Sequence, residues 1–215
     1  MNAVKIPDRY PIPNLRDFSH NLHGKKIFTT IDLNRAYHQL PIHPNDVEKT
    51  AVITPFGLQD YLFYEFGLMN GAQSCQRCVN RALAGIDFAF AFIDDIIIAS
   101  EDEIQHQEHV EIVLSRLDQF HLCVNINKCV FAEPEVTFLD HIVNADGIRP
   151  TAKKVKAVVD YPNPHIIDEL RRFLGMVNFY RPFLPHAAET QLSLNAYLHN
   201  ARKEDKRPVQ WTAES

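Results

Sequence analysis

Residues 88–100 read FAFAFIDDIIIAS, and this stretch restricts the possible folds more than any other. Six apolar residues run into Asp94 and Asp95, and three isoleucines follow at once. Ionised carboxylates cost several kcal/mol to bury without a partner, so something must compensate this pair. A solvent-exposed hairpin turn would do so, but such turns favour Asn-Gly or Asp-Gly, and no glycine is near. A bound divalent cation would also do so, because Mg²⁺ takes hard oxygen ligands from one or two carboxylates plus substrate phosphates. The flanks, FAFAF and IIIAS, predict two strands around an Ile93-Asp94-Asp95 turn. They are apolar on both faces and are therefore expected to be covered on both faces.

The chain of 215 residues is long enough for one large domain or two small ones. The longest unbroken apolar run, Phe88 to Ile93, is far too short to span a bilayer. The N-terminus, MNAVKIPDRYPIP, has charges and three prolines where a signal peptide would need an apolar stretch. An intracellular, cytoplasmic protein with no membrane partner is expected. Cys75 and Cys78 form a C-x-x-C, but Cys123 and Cys129 are too widely spaced for a matching zinc pair, so reduced, partly buried thiols are expected.

Net charge is −5, which argues against nucleic acid until the chain is divided. Residues 1–120 carry ten Lys and Arg against sixteen Asp and Glu, whereas residues 147–181 carry seven basic residues against three acidic ones. That basic segment suits either a phosphate footprint or a solvated helix face. Glycine is scarce, seven in all, so no phosphate-cradling glycine loop is available.

KKIFTTIDL (25–33) reads as a strand ending at Asp32. TAVITPFGLQDYLFYEF (50–66) reads as a hairpin with Pro55 and Gly57 in its turn. NGAQSCQRCVNRALAG (70–85) fits a helix stopped by Gly85. Residues 101–120 form an amphipathic helix with Val110, Val113, Leu114 and Leu117 on one stripe. His106 continues that stripe as a packed core histidine. Short strands are expected around 122–126, 136–139 and 141–144, and helices from Thr151 onward. The class is α+β.

If the strands bearing Asp32 and Asp94-Asp95 are neighbours in one sheet, three carboxylates meet at one rim. Like charges so close raise one another's pKa unless cations hold them. The arrangement suits a two-metal site for in-line phosphoryl displacement. The 62-residue separation of Asp32 and Asp94 does not itself establish the pairing, so on these residues alone a metal site and a structural turn both stay open.

The chain resembles the reverse transcriptase of gypsy-type long-terminal-repeat retrotransposons over roughly residues 3–211. RYPIPNLRDFSHNLHGKKIFTTIDLNRAYHQLPIHPNDVEKTA is similar to the family's entry and first catalytic motif. EFGLMNGAQSCQR resembles its templating and nucleotide-pocket motif, and AFIDDIIIAS its Tyr-x-Asp-Asp hairpin. HLCVNINKC, EVTFLDHIV and LRRFLGMVNFYRPFLP resemble the segments through primer grip and thumb.

The resemblance implies a right-hand polymerase palm, an antiparallel sheet with packed helices, together with incomplete fingers and a helical thumb. Residues 1–25 would be a residual fingers segment and 26–145 the palm, with a fingers insertion at about 40–70 and a primer-grip hairpin at about 136–145. Residues 146–200 would be the thumb, and 201–215 the start of a connection to an RNase H region. It implies an RNA-directed DNA polymerase that transfers a nucleotide from dNTP to a primer 3′-hydroxyl on an RNA or DNA template. The cofactor would be two Mg²⁺ ions, with Mn²⁺ as a substitute. Asp32, Asp94 and Asp95 would be the metal carboxylates, with the Leu33 carbonyl as an extra ligand. Tyr37 would crowd a sugar 2′-hydroxyl, or simply pack in the core. Phe66 and Gly67 would line the nucleotide pocket, and Lys128 would sit near the triphosphate. Phe138, Leu139, Asp140 and His141 would form the primer grip.

In DELRRFLGMVNFYR, the stripe Leu170, Phe173, Leu174 and Val177 should be buried. Arg171, Gly175 and Phe179 fall on a different face. A mid-helix glycine costs about 1 kcal/mol relative to alanine, so Gly175 calls for close approach either of a nucleic-acid backbone or of another helix. The thumb likeness implies duplex binding by these three residues. Four positions depart from the family pattern: Phe92 for Tyr, Glu65 for Pro, Gly71 for Ala and Asp140 for Gly. The family's upstream fingers segment, RNase H and integrase regions are not in this sequence. The chain is therefore expected to be a piece of a Pol polyprotein, with those domains as partners, or a decayed copy that binds primer–template duplex without extending it. A metal phosphoesterase using the same carboxylates would leave the thumb-like tail unexplained.

Overall fold

The computed structural model describes residues 5–202 and 204–211. The first four residues of the expected fingers segment, and Lys203 and residues 212–215 of the expected connection, lie outside the described residues. The chain divides into two compact units, Met1–Ile148 and Arg149–Ser215. Among the described residues no helix is long and apolar enough to cross a membrane.

The first unit is organised by a four-stranded sheet. After a short helix α1 (Leu15–Phe18), β1 (Ile27–Asp32) is followed by a small hairpin, β2 (Val52–Thr54) and β3 (Gly57–Gln59), and by α2 (Gly71–Ala82). Then come β4 (Ala89–Phe92), β5 (Asp95–Ser100), α3 (Glu103–Gln119) and β6 (Val130–Glu133). The sheet order is β4-β5-β1-β6, and β1 pairs antiparallel with β5 and with β6. β5 supplies Ile96, Ile97, Ile98 and Ala99, all fully buried. β-Branched residues suit a pleated surface, and each buried isoleucine contributes about 1.5–3 kcal/mol.

Strand alternation divides these residues between two cores, so the sheet is covered on both faces, as its apolar flanks predict. Ile31, Ile96 and Ile98 pack with Cys75, Val79 and Ala82 of α2 and Val113 and Leu117 of α3. Phe28, Ile97 and Ala99 pack with Leu15, Phe18 and Leu22, and with Val136, Phe138 and Val143 of the following hairpin. That hairpin is β7 (Glu135–Phe138) and β8 (His141–Asn144), joined by β9 (Gly147–Pro150) in a three-stranded sheet.

His106 lies inside the first core, as its place on the α3 stripe suggests. Its two ring nitrogens meet Thr29 Oγ1 at 2.7 Å and Ser100 Oγ at 2.8 Å. Burial, with His109 next to it, lowers its pKa. Asp102 caps α3 by accepting from the Gln105 N–H at 2.9 Å, a contact worth about 1 kcal/mol.

Two expectations are corrected. Residues 122–126 form no strand: Val124 makes a single bridge to Leu33, a 3₁₀ turn covers Ile126–Lys128, and β6 begins only at Val130. Asn125 and Asn127 favour turns, which outweighs the β-branched residues around them. The 50–66 hairpin is also shorter than its sequence pattern, because Thr50 Oγ1 accepts the Tyr61 N–H at 2.8 Å and the pairing stops at Gln59.

The second unit is helical, with α4 (Ala152–Val159) and α5 (Ile167–Phe179). Leu170 and Leu174 are its centre, with Ile167 and Val209 beside them and Phe173 packed against the cluster; Val177 is half-buried at the margin. Residues 165–167 pair with 207–209 through Ile167 N–H to Arg207 C=O and Val209 N–H to His165 C=O.

Candidate active site

The β1–β5 register puts Asp32 directly opposite Asp95, at the end of the two central strands. Phe92 pairs with Asp95 on the other side, so the hairpin turn is only Ile93-Asp94. Asp94 therefore sits one residue beyond the pair, and its carbonyl accepts the Leu33 N–H at 2.9 Å. Asp95 is half-buried, and its pKa is pushed up to about 6 by burial first, then by Asp94 and Asp32, with Lys128 opposing. The three carboxylates form one electrostatic cluster, as the sequence requires if these strands are neighbours.

Among the described residues, no group of three or more His, Cys, Asp and Glu is closed around a common point for a metal ion. Asp32 turns instead to Lys128, whose Nζ lies 3.2 Å from Oδ2. Crowded oxygen donors with one amine as counter-charge nevertheless have the chemistry that suits Mg²⁺ or Mn²⁺.

The turn is under strain. Ile93 has φ +57°, a region that β-branched residues rarely enter. A fully buried glutamine of α2 holds it there. Gln76 Oε1 accepts the Ile93 N–H at 2.7 Å, and Gln76 Nε2 donates to the Ala91 carbonyl and to Asn80 Oδ1, both at 2.9 Å. Cys75 Sγ donates to the Ile93 carbonyl at 3.6 Å, with its thiol pushed up to about 12 by burial, then Asp94 and Cys78. Sequence reasoning did not single out Gln76. The available signal was a polar residue on the same helical face as Val79 and Ala82.

Gln39 was missed in the same way. Its amide donates to the carbonyls of Asn34 and Cys123 and accepts the Cys123 N–H at 2.7 Å. Together with the Asn125 N–H to Asp32 C=O bond at 2.8 Å, it ties residues 123–125 to the end of β1 and so sets the origin of the Lys128 side chain.

Tyr37 packs edge-on to Phe66, with centroids 5.6 Å apart, and Phe66 also meets His38 at 5.2 Å. Burial, then Cys75 and Asp94, raises the Tyr37 pKa. Glu65 pairs with His38 at 3.3 Å, and Gly67 adopts φ +87°. Phe66, Gly67 and Tyr37 are thus brought together. In the β7–β8 hairpin, Phe138 pairs with His141, and Leu139 and Asp140 have φ +48° and +62°. This is a two-residue turn with both central residues left-handed, a conformation that aspartate accepts better than most residues. Phe138 is interior and Leu139 packs partly against the same core, so at the tip Asp140 is exposed and His141 half-buried. Arg171, Gly175 and Phe179 lie in the second unit on α5. Phe179 is exposed, and a Cβ built at Gly175 would meet nothing within 4 Å.

Comparison with known proteins bears on this geometry. Residues 1–143 match the family described as "Reverse transcriptase (RNA-dependent DNA polymerase)". The chain is similar to the retrovirus-related Pol polyprotein from transposon 297 of Drosophila melanogaster, with 37% identity over 213 residues, 98% of this chain and 20% of that protein. It is also similar to that from transposon gypsy of the same organism, with 36% identity over 86% of this chain and 18% of that protein. The chain therefore spans about a fifth of the length of these relatives. A solved structure of the foamy viral protease-reverse transcriptase in complex with double-stranded DNA superposes with a TM-score of 0.85 at 23% identity, over 99% of this chain and 37% of that one. This likeness shows the α+β palm fold.

Proposed function

The chain belongs to the reverse transcriptase (RNA-dependent DNA polymerase) family, and from that premise we propose that it carries the nucleotidyl-transfer site of a Pol polyprotein. It would extend a DNA primer on an RNA or DNA template, with dNTP as the donor. The observation that carries this reading is the cross-strand pair Asp32–Asp95 with Asp94 beside it in a two-residue turn.

Asp32, Asp94 and Asp95 are the residues that would hold divalent cations, two Mg²⁺ or Mn²⁺, with the Leu33 carbonyl beside them. Bound there, the cations supply charge stabilisation for in-line displacement at the dNTP α-phosphate and lower the pKa of the primer 3′-hydroxyl. The protein's own contribution is positioning. Gln76 and Ile93 hold the carboxylate turn in one conformation. Lys128 pairs with Asp32 and would sit near a triphosphate that arrives with its own cation. Tyr37, Phe66 and Gly67 form the wall against which the nucleotide's sugar and base would rest. Leu139, Asp140 and His141 would support the primer, and Arg171, Gly175 and Phe179 the duplex. In this assignment residues 1–25 and about 40–70 belong to the fingers, the sheet to the palm, the 136–145 hairpin to the primer grip, 146–200 to the thumb, and 201–215 to the connection. RNase H and integrase regions would be neighbours in the parent polyprotein.

The test is extension of a labelled DNA primer on an RNA template in Mg²⁺ and in Mn²⁺, beside an Asp94→Asn variant. Extension by the wild type that is lost in the variant is the expected result. A folded protein that binds the duplex and never extends it would leave only the duplex-binding reading.

A further inference from the structure

Gly71 is the first residue of α2, buried, and one of the positions at which this chain departs from its family pattern. A Cβ built on it would lie 3.1 Å from Tyr37 Cε1 and 3.2 Å from Cδ1, with Tyr64 Cδ1 at 3.9 Å. Such distances are tighter than most Cβ contacts, so an alanine would require the Tyr37 ring to give by a few tenths of an ångström. In this protein the ring instead lies against the bare backbone of the helix. Its neighbours restrict where it could go. Tyr64 is close to the same helix turn, and Phe66 stands edge-on 5.6 Å away. Phe66 is in turn backed by His38, which Glu65 holds at 3.3 Å. Displacement therefore leads away from α2, Tyr64 and Phe66, toward the half-open side of the ring.

We propose that Gly71 is a selectivity-setting residue of the site: by letting the Tyr37 ring seat against α2, it leaves more room for a sugar 2′-hydroxyl than alanine would. The proposal rests on the nucleotide-site reading above. Its consequence is a polymerase with weaker discrimination against ribonucleotides than its own Gly71→Ala variant. Gly71 acts through Tyr37 and is thus a positioning residue. The expected change is about three- to tenfold in relative kcat/KM, at or just below the low end of what a methyl-sized change in a pocket produces, because the methyl acts through the ring.

The experiment measures kcat/KM for dCTP and for CTP on one primer–template, with wild type, Gly71→Ala, Tyr37→Ala and the double variant. Equilibrium binding of both nucleotides to the same complexes is measured alongside. Gly71→Ser supplies a second Cβ should the alanine variant fail to fold. The dCTP/CTP preference should rise in Gly71→Ala and Gly71→Ser, and should not respond to residue 71 once Tyr37 is alanine, because the coupling needs the ring. A merely structural role would lower both nucleotides equally and leave the ratio unchanged, which overturns the proposal. So does a change in ratio that persists without Tyr37. If the protein binds but does not extend, the ratio of the two Kd values decides in the same way. If the wild type neither extends nor binds either nucleotide, the nucleotide-site reading fails and this inference fails with it.

Discussion

Replacing Asp95 by asparagine should make the protein more stable at neutral pH while it removes a carboxylate from the site. Asp95 lies between Phe92 and Asp32 in the strand register, half-buried, with Asp94 adjacent. Its pKa is pushed from 3.8 to about 6, by burial first and then by Asp94 and Asp32. A gap of that size corresponds to about 3 kcal/mol, at about 1.4 kcal/mol for each factor of ten. Partial exposure screens the interaction, which reduces the expected effect to about 1–2 kcal/mol. For a carboxyl with a raised folded pKa, the native state holds the proton more tightly than the unfolded chain. Stability is then highest below about pH 4 and is lost as pH rises to about 6. Asparagine does not titrate, so the variant escapes that loss. Thermal melts at about pH 7.5 should show a gain of about 3–6 °C, and the gain should shrink on acidification to about pH 4. Mg²⁺ should narrow the difference by stabilising the wild type more than the variant. An Asp95→Asn protein no more stable than wild type at pH 7.5, or a gain that does not depend on pH, would show that burial and the neighbouring carboxylates do not destabilise ionised Asp95.

Three further outcomes are expected. Gln76→Ala should destabilise by about 2–4 kcal/mol in urea unfolding, since it opens a cavity and leaves the Ile93 N–H and Ala91 carbonyl without their partner; primer extension should fall with it, and an unchanged urea midpoint would contradict the clamp. His106 has a lowered pKa, so the stability it confers is present above its unfolded value near 6.5 and is lost as pH falls below that; His106→Phe should remove this acid sensitivity and cost about 1–3 kcal/mol at pH 7.5 through two lost hydrogen bonds, the Ser100 hydroxyl keeping His109 and the Thr29 hydroxyl keeping the Ala132 N–H. Arg77 pairs with Asp8 at 2.7 Å and stacks on Tyr10 at 4.6 Å, strapping the N-terminal segment to α2; Arg77→Ala should speed amide hydrogen exchange across residues 8–13 and leave β5 protected.

Much of the site was legible because its parts are local. FAFAF and IIIAS read as strands whichever fold contains them, the first half-buried at the sheet edge and the second buried, and a pair of aspartates between them has few explanations. Asp140 was noted only as a departure at a glycine position, and its left-handed backbone, which aspartate tolerates, required the structure. The register of Asp32 against Asp95 was not legible, since nothing in a local pattern says which strands pair across more than sixty residues. The family resemblance supplied that link. Gln76 and Gln39 escaped for a related reason: a polar residue on a half-buried face reads as a boundary position until its backbone partners, at Ile93 and Cys123, are known. The misread strand at 122–126 shows the reverse error, in which β-branched residues suggested pairing that two asparagines convert into a turn. Gly71 was noted only as a departure, and its consequence required the position of the Tyr37 ring.

In the proposed function the sheet assembles one divalent-cation centre from Asp32, Asp94 and Asp95. Mn²⁺ binding followed by electron paramagnetic resonance tests it most directly, in wild type and in each Asp→Asn variant, with primer–template and a non-reactive dNTP analogue present. Protein-bound Mn²⁺ is expected in the wild type, with weakened binding in all three variants. Equal binding in the wild type and the variants would place the cation elsewhere and contradict this assignment.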